Sequence, residues 1–512
     1  MSNETHAAAM LDSDFAVLPD LIRTHAAVQP EKPALVAGDA ALDYAGLDTT
    51  MDRVAAALQR DGLSHGQAVA ILAAPSIDYA TIFLGTLRAG GAAAPLAPSA
   101  TPDQLAAMVN DSGAAHLFTD AAGTAALAGK TINARIIEMG SAEHHAWLAP
   151  AGTRPAPAAI APGDPFNIIY SSGTTGTPKG IVQSHAMRWQ HIHRNKTAGF
   201  DTAVTMVATP LYSNTTLVVF LPTMAWGGTA VLMSKFDARR FLELAQAHRA
   251  THAMLVPVQY QRIMADPEFD RFDLSSFRLK TCTSAPFSAA LKADVVHRWP
   301  GLLVEYYGMT EGGGTTILNC TAHPDKLHSV GQPAEGHDIR LIDEDGREVP
   351  PGATGEVVGR SPAMMTGYHR RAEATRAAEW FDADGNRYIR HGDVGRFDED
   401  GFLILMDRKK DLIISGGFNI YPSDLEAVLR QHPDVADCAV VGVPSATWGE
   451  TPLGFFVPAR TGADPAAILA WANDRLGKTQ RLSALEPLAE LPRSAIGKVL
   501  KRDLRDQWIA RQ

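Results

Sequence analysis

From Met51 to about residue 400, short apolar runs alternate with stretches whose apolar residues recur at helical spacing. This alternation constrains the fold more than any other feature. Met51, Val54 and Leu58 fall on one helical face, and Gly62 follows as a stop. Residues 68–73 (Ala-Val-Ala-Ile-Leu-Ala) then form a continuous apolar run, as expected of a strand covered on both faces. The same order recurs through Ala93 and Leu117. It predicts α/β layers with largely parallel sheets. Residues 151–165, rich in Pro and Ala, read as an exposed connection.

A chain of 512 residues has room for roughly two to four structural units. A charged cluster, Asp407-Arg408-Lys409-Lys410-Asp411, stands between two apolar runs and marks the expected boundary. The division is a large α/β domain over 1–408 and a small, mobile α+β domain over 409–512. In the latter, Ser423 and Glu426 have capping-box spacing. Leu425, Val428 and Leu429 share one helical face, and residues 438–443 read as a strand.

Charge and cysteine usage exclude several classes. The net charge of −10 argues against a nucleic-acid partner, which needs a basic face. Cys282, Cys320 and Cys438 are far apart and odd in number, so neither a disulfide framework nor a zinc site fits. A reducing, cytoplasmic compartment is expected. Residues 1–14 lack a basic-then-apolar signal pattern, and Ala510-Arg511-Gln512 is no peroxisomal address. No apolar run reaches the roughly 18 residues that a membrane span requires.

The strongest local signal is Tyr170-Ser171-Ser172-Gly173-Thr174-Thr175-Gly176-Thr177-Pro178-Lys179-Gly180, directly after the apolar run 166–169. Glycines let main-chain amides approach a phosphate closely, while hydroxyls and Lys179 add donors and charge. The Gly-x-x-Gly-x-x-Lys spacing differs from a Walker A loop.

This segment resembles the phosphate loop of the acyl-adenylate-forming superfamily, which contains acyl-CoA synthetases, peptide-synthetase adenylation domains and firefly luciferase. Further motifs follow in that superfamily's order, from roughly residue 20 to residue 505. The acyl-CoA synthetase branch fits best. Its members use ATP, Mg²⁺ and coenzyme A to convert a carboxylic acid to its CoA thioester.

The resemblance assigns roles residue by residue. In Tyr306-Tyr307-Gly308-Met309-Thr310-Glu311, Tyr307 would stack on adenine, Thr310 would contact phosphate and Glu311 would hold Mg²⁺. Thr283-Ser284-Ala285-Pro286 matches the adenine-side loop, with Thr283-Ser284 where relatives often carry Gly-Gly or Gly-Ala. In Arg390-His391-Gly392-Asp393, Asp393 would accept from both ribose hydroxyls, and His391 replaces the common Thr, either as a bystander, the favoured reading, or as a pH-sensitive contact. Arg408 would reach the ribose, Lys410 marks the hinge, and Gly416-Gly417 would let a pantetheine arm pass. In Leu491-Pro492-Arg493-Ser494-Ala495-Ile496-Gly497-Lys498, Lys498 matches the lysine that joins carboxylate to α-phosphate during adenylation.

The acyl pocket implied by the resemblance is built around Tyr212, Ser213, Asn214 and Thr215, around Ser284, and around Tyr306, Gly308, Gly313 and Gly314. Small polar residues on one wall and a glycine triplet giving room on the other suit a medium-sized acid, hydroxycinnamate-like or medium-chain. Arg194 could pair with a second carboxylate. Three alternatives remain open: loading of a carrier protein, luciferase-type oxygenation, and non-catalytic nucleotide binding. The presence of Lys498, Glu311 and Asp393 argues against the last. The oligomeric state, monomer or homodimer, is left open.

Overall fold

Strands buried on both faces need a helix layer on each side, and the first half of the chain supplies them. The computed structural model describes residues 3–171, 179–415, 418–445, 447–477, 480–494 and 497–511. A seven-stranded sheet runs in the order Gly367–Tyr368, Lys179–Ser184, Pro165–Ser171, Ala92–Pro95, Ala68–Leu72, His116–Thr119, Arg135–Glu138. The last five of these strands are parallel. A nine-stranded sheet runs Gln332–Pro333, Thr315–Asn319, Leu302–Gly308, Leu279–Cys282, His252–Leu255, Val204–Val207, Thr229–Leu232, Pro33–Ala37, Ala40–Asp43. Its six strands from Leu302–Gly308 to Pro33–Ala37 are parallel.

One core joins the two sheets through the helices Tyr44–Arg60, Ile77–Arg88 and Asn214–Trp226. Met51, Val54 and Leu58 are fully buried there, as their spacing predicts. A Cβ on Gly85 would lie 2.6 Å from Val54 Cγ1, so this glycine lets the first two helices meet closely. Caps set the helix starts: the side chain of Asp43 accepts from Gly46 N, and that of Ser76 from Tyr79 N.

The expectation of largely parallel layers fails for residues 338–408. The strands Asp338–Ile342, Gly355–Arg360, Arg387–Phe397, Glu379–Phe381 and Leu403–Arg408 form an antiparallel sheet. The Gly-Asp of residues 392–393 thus lies inside a strand. Gly392 is left-handed (φ +71°) at a register shift.

The C-terminal domain is small and has its own sheet. The strands Phe418–Ile420, Ile413–Ser415, Gly449–Pro458 and Val435–Ser445 are antiparallel, and Ala484–Pro487 adds in parallel. The helices Pro422–Leu429 and Pro465–Asn473 cover one face through Leu425, Leu429, Ile468 and Ala472. The helix Lys501–Ile509 covers the other through Leu504. The Ser423–Glu426 capping box does not form. Pro422 takes the first helical position, so Tyr421 is the N-cap and Ser423 already lies within the helix. Glu426 instead turns inward, where it accepts from Val440 N at 2.9 Å and pairs with Lys501. Among the described residues no helix is long and apolar enough to cross a membrane.

Candidate active site

In open α/β sheets, ligands bind outside the carboxyl ends of the strands. The strand Leu302–Gly308 delivers two tyrosines to that edge, and strand alternation sends them to opposite sides. Tyr307 faces the antiparallel sheet. Its hydroxyl donates to Asp393 Oδ2 at 2.8 Å, and His391 Nδ1 lies 3.0 Å from the same hydroxyl. His391 Nε2 donates to Gly313 O, and its ring lies 5.4 Å from that of Tyr307. His391 is therefore no bystander; it ties the Tyr307–Asp393 pair to the glycine loop.

Glu311 follows in the same segment. Its Oε1 accepts from the Tyr368 hydroxyl at 2.8 Å, and its main-chain oxygen accepts from Met365 N. The Lys179 ammonium stands 5.2 Å from the centre of the Tyr368 ring. Burial first, and then the neighbouring Glu311 carboxylate, raise the Tyr368 pKa, so the phenol stays protonated as a donor. Thr310 O accepts from Gln183 Nε2 at 2.7 Å. Gln183 in turn accepts from Asn167 Nδ2 at 2.8 Å, and Arg188 donates to both Asn167 and Asn214 Oδ1 at 2.8 Å.

Gln183, Tyr368 and this buried amide network were not expected from sequence. A signal existed: Asn167 and Gln183 are polar residues within apolar strand runs, and such residues must find partners. Tyr368 carried none.

The residues assigned to the acyl pocket divide. Thr215 Oγ1 and Ser284 Oγ meet at 2.6 Å, with Ser284 in a left-handed conformation (φ +85°). Ala285 is half-buried and Pro286 exposed beside them. Asn214 is held by Arg188, and Ser213 is buried as the N-cap of Asn214–Trp226. Tyr212 turns elsewhere, into a cavity of about 360 Å³ lined by Pro98, Ser99, Asp120 and Ser234 at the edge of the seven-stranded sheet.

The glycine triplet is buried and gives no room. A Cβ on Gly313 would lie 2.8 Å from Ile389 Cβ, and one on Gly314 would strike Ile339 Cδ1. These residues let the antiparallel sheet close on the strand edge, so they offer main chain and not space. Gly308 is exposed at the end of its strand.

The turn bearing Lys498 comes from the C-terminal domain. Ser494 N donates to Lys498 O at 2.8 Å, Lys498 N donates to Ser494 Oγ at 3.1 Å, and Gly497 is left-handed (φ +77°). A Cβ on Gly497 would lie 2.7 Å from Val258 Cγ1. The turn therefore packs against the residues that follow the strand His252–Leu255, at the carboxyl edge of the nine-stranded sheet. Register sets Asp393 opposite Arg408, and Lys410 is exposed just beyond. Of the expected site residues, Ser172, Gly173, Thr174, Thr175, Gly176, Gly416 and Gly417 lie outside the described residues. For Ser171 and Arg408 only the main chain is described. The described residues contain no cluster of three or more His, Cys, Asp or Glu able to hold a metal.

The large α/β domain with its small C-terminal domain is the architecture of adenylate-forming enzymes. The chain belongs to the AMP-binding enzyme family: that family's model matches residues 22–369, and the model of the AMP-binding enzyme C-terminal domain matches residues 424–498. It is 35% identical to a feruloyl-CoA synthase of Amycolatopsis sp over 495 residues, which cover 94% of this chain and 97% of that protein. It is 33% identical to the indoleacetate–CoA ligase of Aromatoleum aromaticum, with 97% and 98% covered. The fold matches that of ATP-bound MatB from Rhodopseudomonas palustris with a TM-score of 0.85 and 30% identity, over 96% of this chain and 99% of that one.

Proposed function

We propose that this protein is an ATP-dependent acid–thiol ligase that activates a carboxylic acid as its acyl-adenylate and passes the acyl group to coenzyme A. One observation carries this reading. Tyr307 with Asp393 and the Lys498 turn both lie at the carboxyl side of the nine-stranded sheet, and Glu311 meets Tyr368 and Lys179 of the seven-stranded sheet, in a chain of the AMP-binding family.

A carboxylate is a poor acyl donor because oxide is a poor leaving group. In the first step a carboxylate oxygen attacks the α-phosphorus of ATP and pyrophosphate leaves. In the second, the thiol sulfur attacks the acyl carbon, AMP leaves with the bonding pair, and the thiol proton is released. The first step brings two anions together, so cationic groups must neutralise them. Lys498 is assigned that task, with Lys179 and the glycine-rich loop on the phosphates. Tyr307 is assigned to adenine and Asp393 to the ribose diol.

Mg²⁺ fits the Glu311 carboxylate. Tyr368 engages Oε1, which leaves Oε2 for a cation that takes its remaining oxygens from phosphate and water. When bound, it would supply charge neutralisation on the phosphates.

Lys498 and the incoming thiol compete for one approach, so the domain over 409–512 would rotate against 1–408 about Lys410 between the steps. The acid is proposed to be medium-sized and aromatic, of the hydroxycinnamate type, in keeping with the feruloyl and indoleacetate relatives; a medium-chain acid is the second choice. Cys282, Cys320 and Cys438 are buried and unpaired, which suits a reducing cytoplasm.

The test is pyrophosphate release across a panel of carboxylic acids, followed by mass detection of product with CoA or with a phosphopantetheinylated carrier protein. Acid-dependent pyrophosphate release and an acyl-CoA product are expected. Release without a CoA thioester would transfer the assignment to carrier loading, and no release with any acid would refute the ligase reading.

A further inference from the structure

The strand Gly367–Tyr368 pairs antiparallel with the strand Lys179–Ser184, and the pairing sets Tyr368 opposite Ile181. Carried two residues further, that register brings Arg370 level with Lys179. Main-chain bonds fix the segment: Thr366 N donates to Val182 O at 3.0 Å, and His369 N to Gly180 O at 2.7 Å. Thr375 Oγ1 accepts from Tyr368 N at 2.9 Å, which folds the short helix Ala372–Ala377 back onto the strand. Strand and helix border a cavity of about 710 Å³ that opens to solvent, lined by Tyr368, His369, Arg370, Arg371, Thr375 and Arg376 among others.

The lining is cationic, and among the described residues no carboxylate lines it. Asp111 touches two of the arginines from behind. Arg371 Nη2 donates to Asp111 Oδ1 and Arg370 Nη1 to Asp111 O, both at 3.3 Å, while the Tyr170 hydroxyl donates to Oδ2 at 2.9 Å. One carboxylate so engaged offsets only one guanidinium charge. Arg376 is exposed and forms no ion pair among the described residues, and Glu373 on the same helix is exposed outside the lining. Burial first, and then Arg370, lower the His369 pKa, so its imidazole adds no charge at neutral pH.

This is more than a solvated charge run. Arg370 is left-handed (φ +52°), a conformation that residues other than glycine rarely adopt. Gly113 makes room for its side chain, because a Cβ there would lie 3.0 Å from Arg370 Nη2. Ordinary surface arginines need neither device. Tyr368 joins the cavity to the phosphate end of the candidate active site. It lines the cavity, its ring stands 5.2 Å from the Lys179 ammonium, and its hydroxyl donates to Glu311 Oε1.

We propose that Arg370, Arg371 and Arg376 form a docking site for inorganic pyrophosphate, beside the nucleotide site and separate from it. Guanidinium forks match phosphoryl oxygens through paired N–H donors, and an anion with several charges gains more from three cations than a singly charged one does. A basic concavity on a chain of net charge −10 also draws anions to one place. Adenylation releases this anion on the Lys179 side, so the site would receive it as it departs. That source rests on the acid–thiol ligase reading; the binding does not. The 3′-phosphate of coenzyme A offers similar chemistry, and the experiment separates the two.

Pyrophosphate is titrated calorimetrically into the full chain saturated with α,β-methylene-ATP, which occupies the nucleotide site without turnover. One equivalent of pyrophosphate should still bind. Its affinity should fall by about tenfold or more in the Arg370→Gln/Arg376→Gln double variant and largely return in Arg370→Lys/Arg376→Lys. Binding of α,β-methylene-ATP by the Gln variant should stay within about threefold of wild type, which shows that the variant is folded. Failure of pyrophosphate to bind once the analogue is in place would confine it to the nucleotide site and overturn the inference. Equal affinity in wild type and the Gln variant would overturn it too. Adenosine 3′,5′-bisphosphate that displaces pyrophosphate at the lower concentration of the two would reassign the cavity to coenzyme A. A chain that binds pyrophosphate here but releases none with any acid would keep the site and lose the ligase reading.

Discussion

Tyr307 and Asp393 belong to different sheets and lie 86 positions apart, yet the phenol of one donates to the carboxylate of the other at 2.8 Å. This hydrogen bond joins the parallel strand edge to the antiparallel sheet, and it sets a flat ring and a diol-binding carboxylate side by side. Asp393→Ala should lower kcat/KM for ATP by roughly 10- to 10²-fold, the range for losing hydrogen bonds to a charged group. Tyr307→Phe keeps the ring and loses only the clasp, so a fall of roughly three- to tenfold is expected. Both are read from pyrophosphate release against ATP concentration at saturating acid. A change confined to KM for the acid would remove the nucleotide role.

Lys498 is expected to act in one half-reaction only. Lys498→Ala should slow acyl-adenylate formation by roughly 10²- to 10³-fold, as for loss of one oriented electrostatic donor. Thioester formation from pre-made acyl-AMP should proceed within about threefold of the wild-type rate. Single-turnover measurements of each half-reaction separate the two. Equal losses in both would show that the lysine serves the fold of its turn and not the adenylation step.

Much of this architecture was legible because its signals are local. The helix with Met51, Val54 and Leu58 and the strand Ala68–Leu72 are set by periodicity, and the motifs stand in sequence order. The antiparallel sheet was missed although its turns were visible. Asp345-Gly346, Asp384-Gly385 and Asp400-Gly401 each carry a left-handed glycine at a hairpin. The Tyr307–Asp393 pair, the role of His391 and the direction in which Gly313 packs were not legible. Each depends on two sheets meeting, and no local pattern encodes that contact. Ser423 misled for a simpler reason: its spacing to Glu426 is right, but Pro422 starts the helix one residue too early for it.

Gly312 should tolerate no side chain. Its φ is +76°, and an added Cβ would strike Ala363 O and lie 2.8 Å from Met187 Cε. Strain in the left-handed region and overpacking each cost about 1–3 kcal/mol. Gly312→Ala should therefore lower stability by at least about 2 kcal/mol in urea unfolding, whereas alanine at Gly163, which has nothing within 4 Å, should be near neutral. Comparable unfolding midpoints for the two variants would contradict the packing described for the glycine loop.

Gln183 supports Thr310 from behind. Gln183→Leu would leave Thr310 O and Asn167 Nδ2 without their partners, at about 1–3 kcal/mol each. It should also misplace Thr310 and Glu311, so pyrophosphate release should fall more than tenfold with little change in KM for the acid, as expected when a positioning contact about an ångström from ideal is lost. A variant that is destabilised but retains full turnover would confine Gln183 to the core.

His185 offers a test of the buried histidines through pH. It is 4% exposed, its ring lies 4.9 Å from that of Phe166, and Asp164 and His65 lie nearby. Burial outweighs the pull of Asp164 and lowers its pKa from 6.5 to about 4. The unfolded chain therefore binds a proton at His185 between about pH 6.5 and 4 that the folded chain does not. Its contribution to stability is complete above pH 6.5 and is lost as pH falls towards 4, by up to about 3 kcal/mol. His337, lowered to about 4 mainly by burial, adds to the same slope. His185→Gln removes one titrating group, so its Tm should fall less than the wild-type Tm between pH 7 and 4.5, and the two curves should converge on the acid side. Parallel curves across that range would mean that His185 takes up its proton in the folded protein as readily as in the unfolded chain.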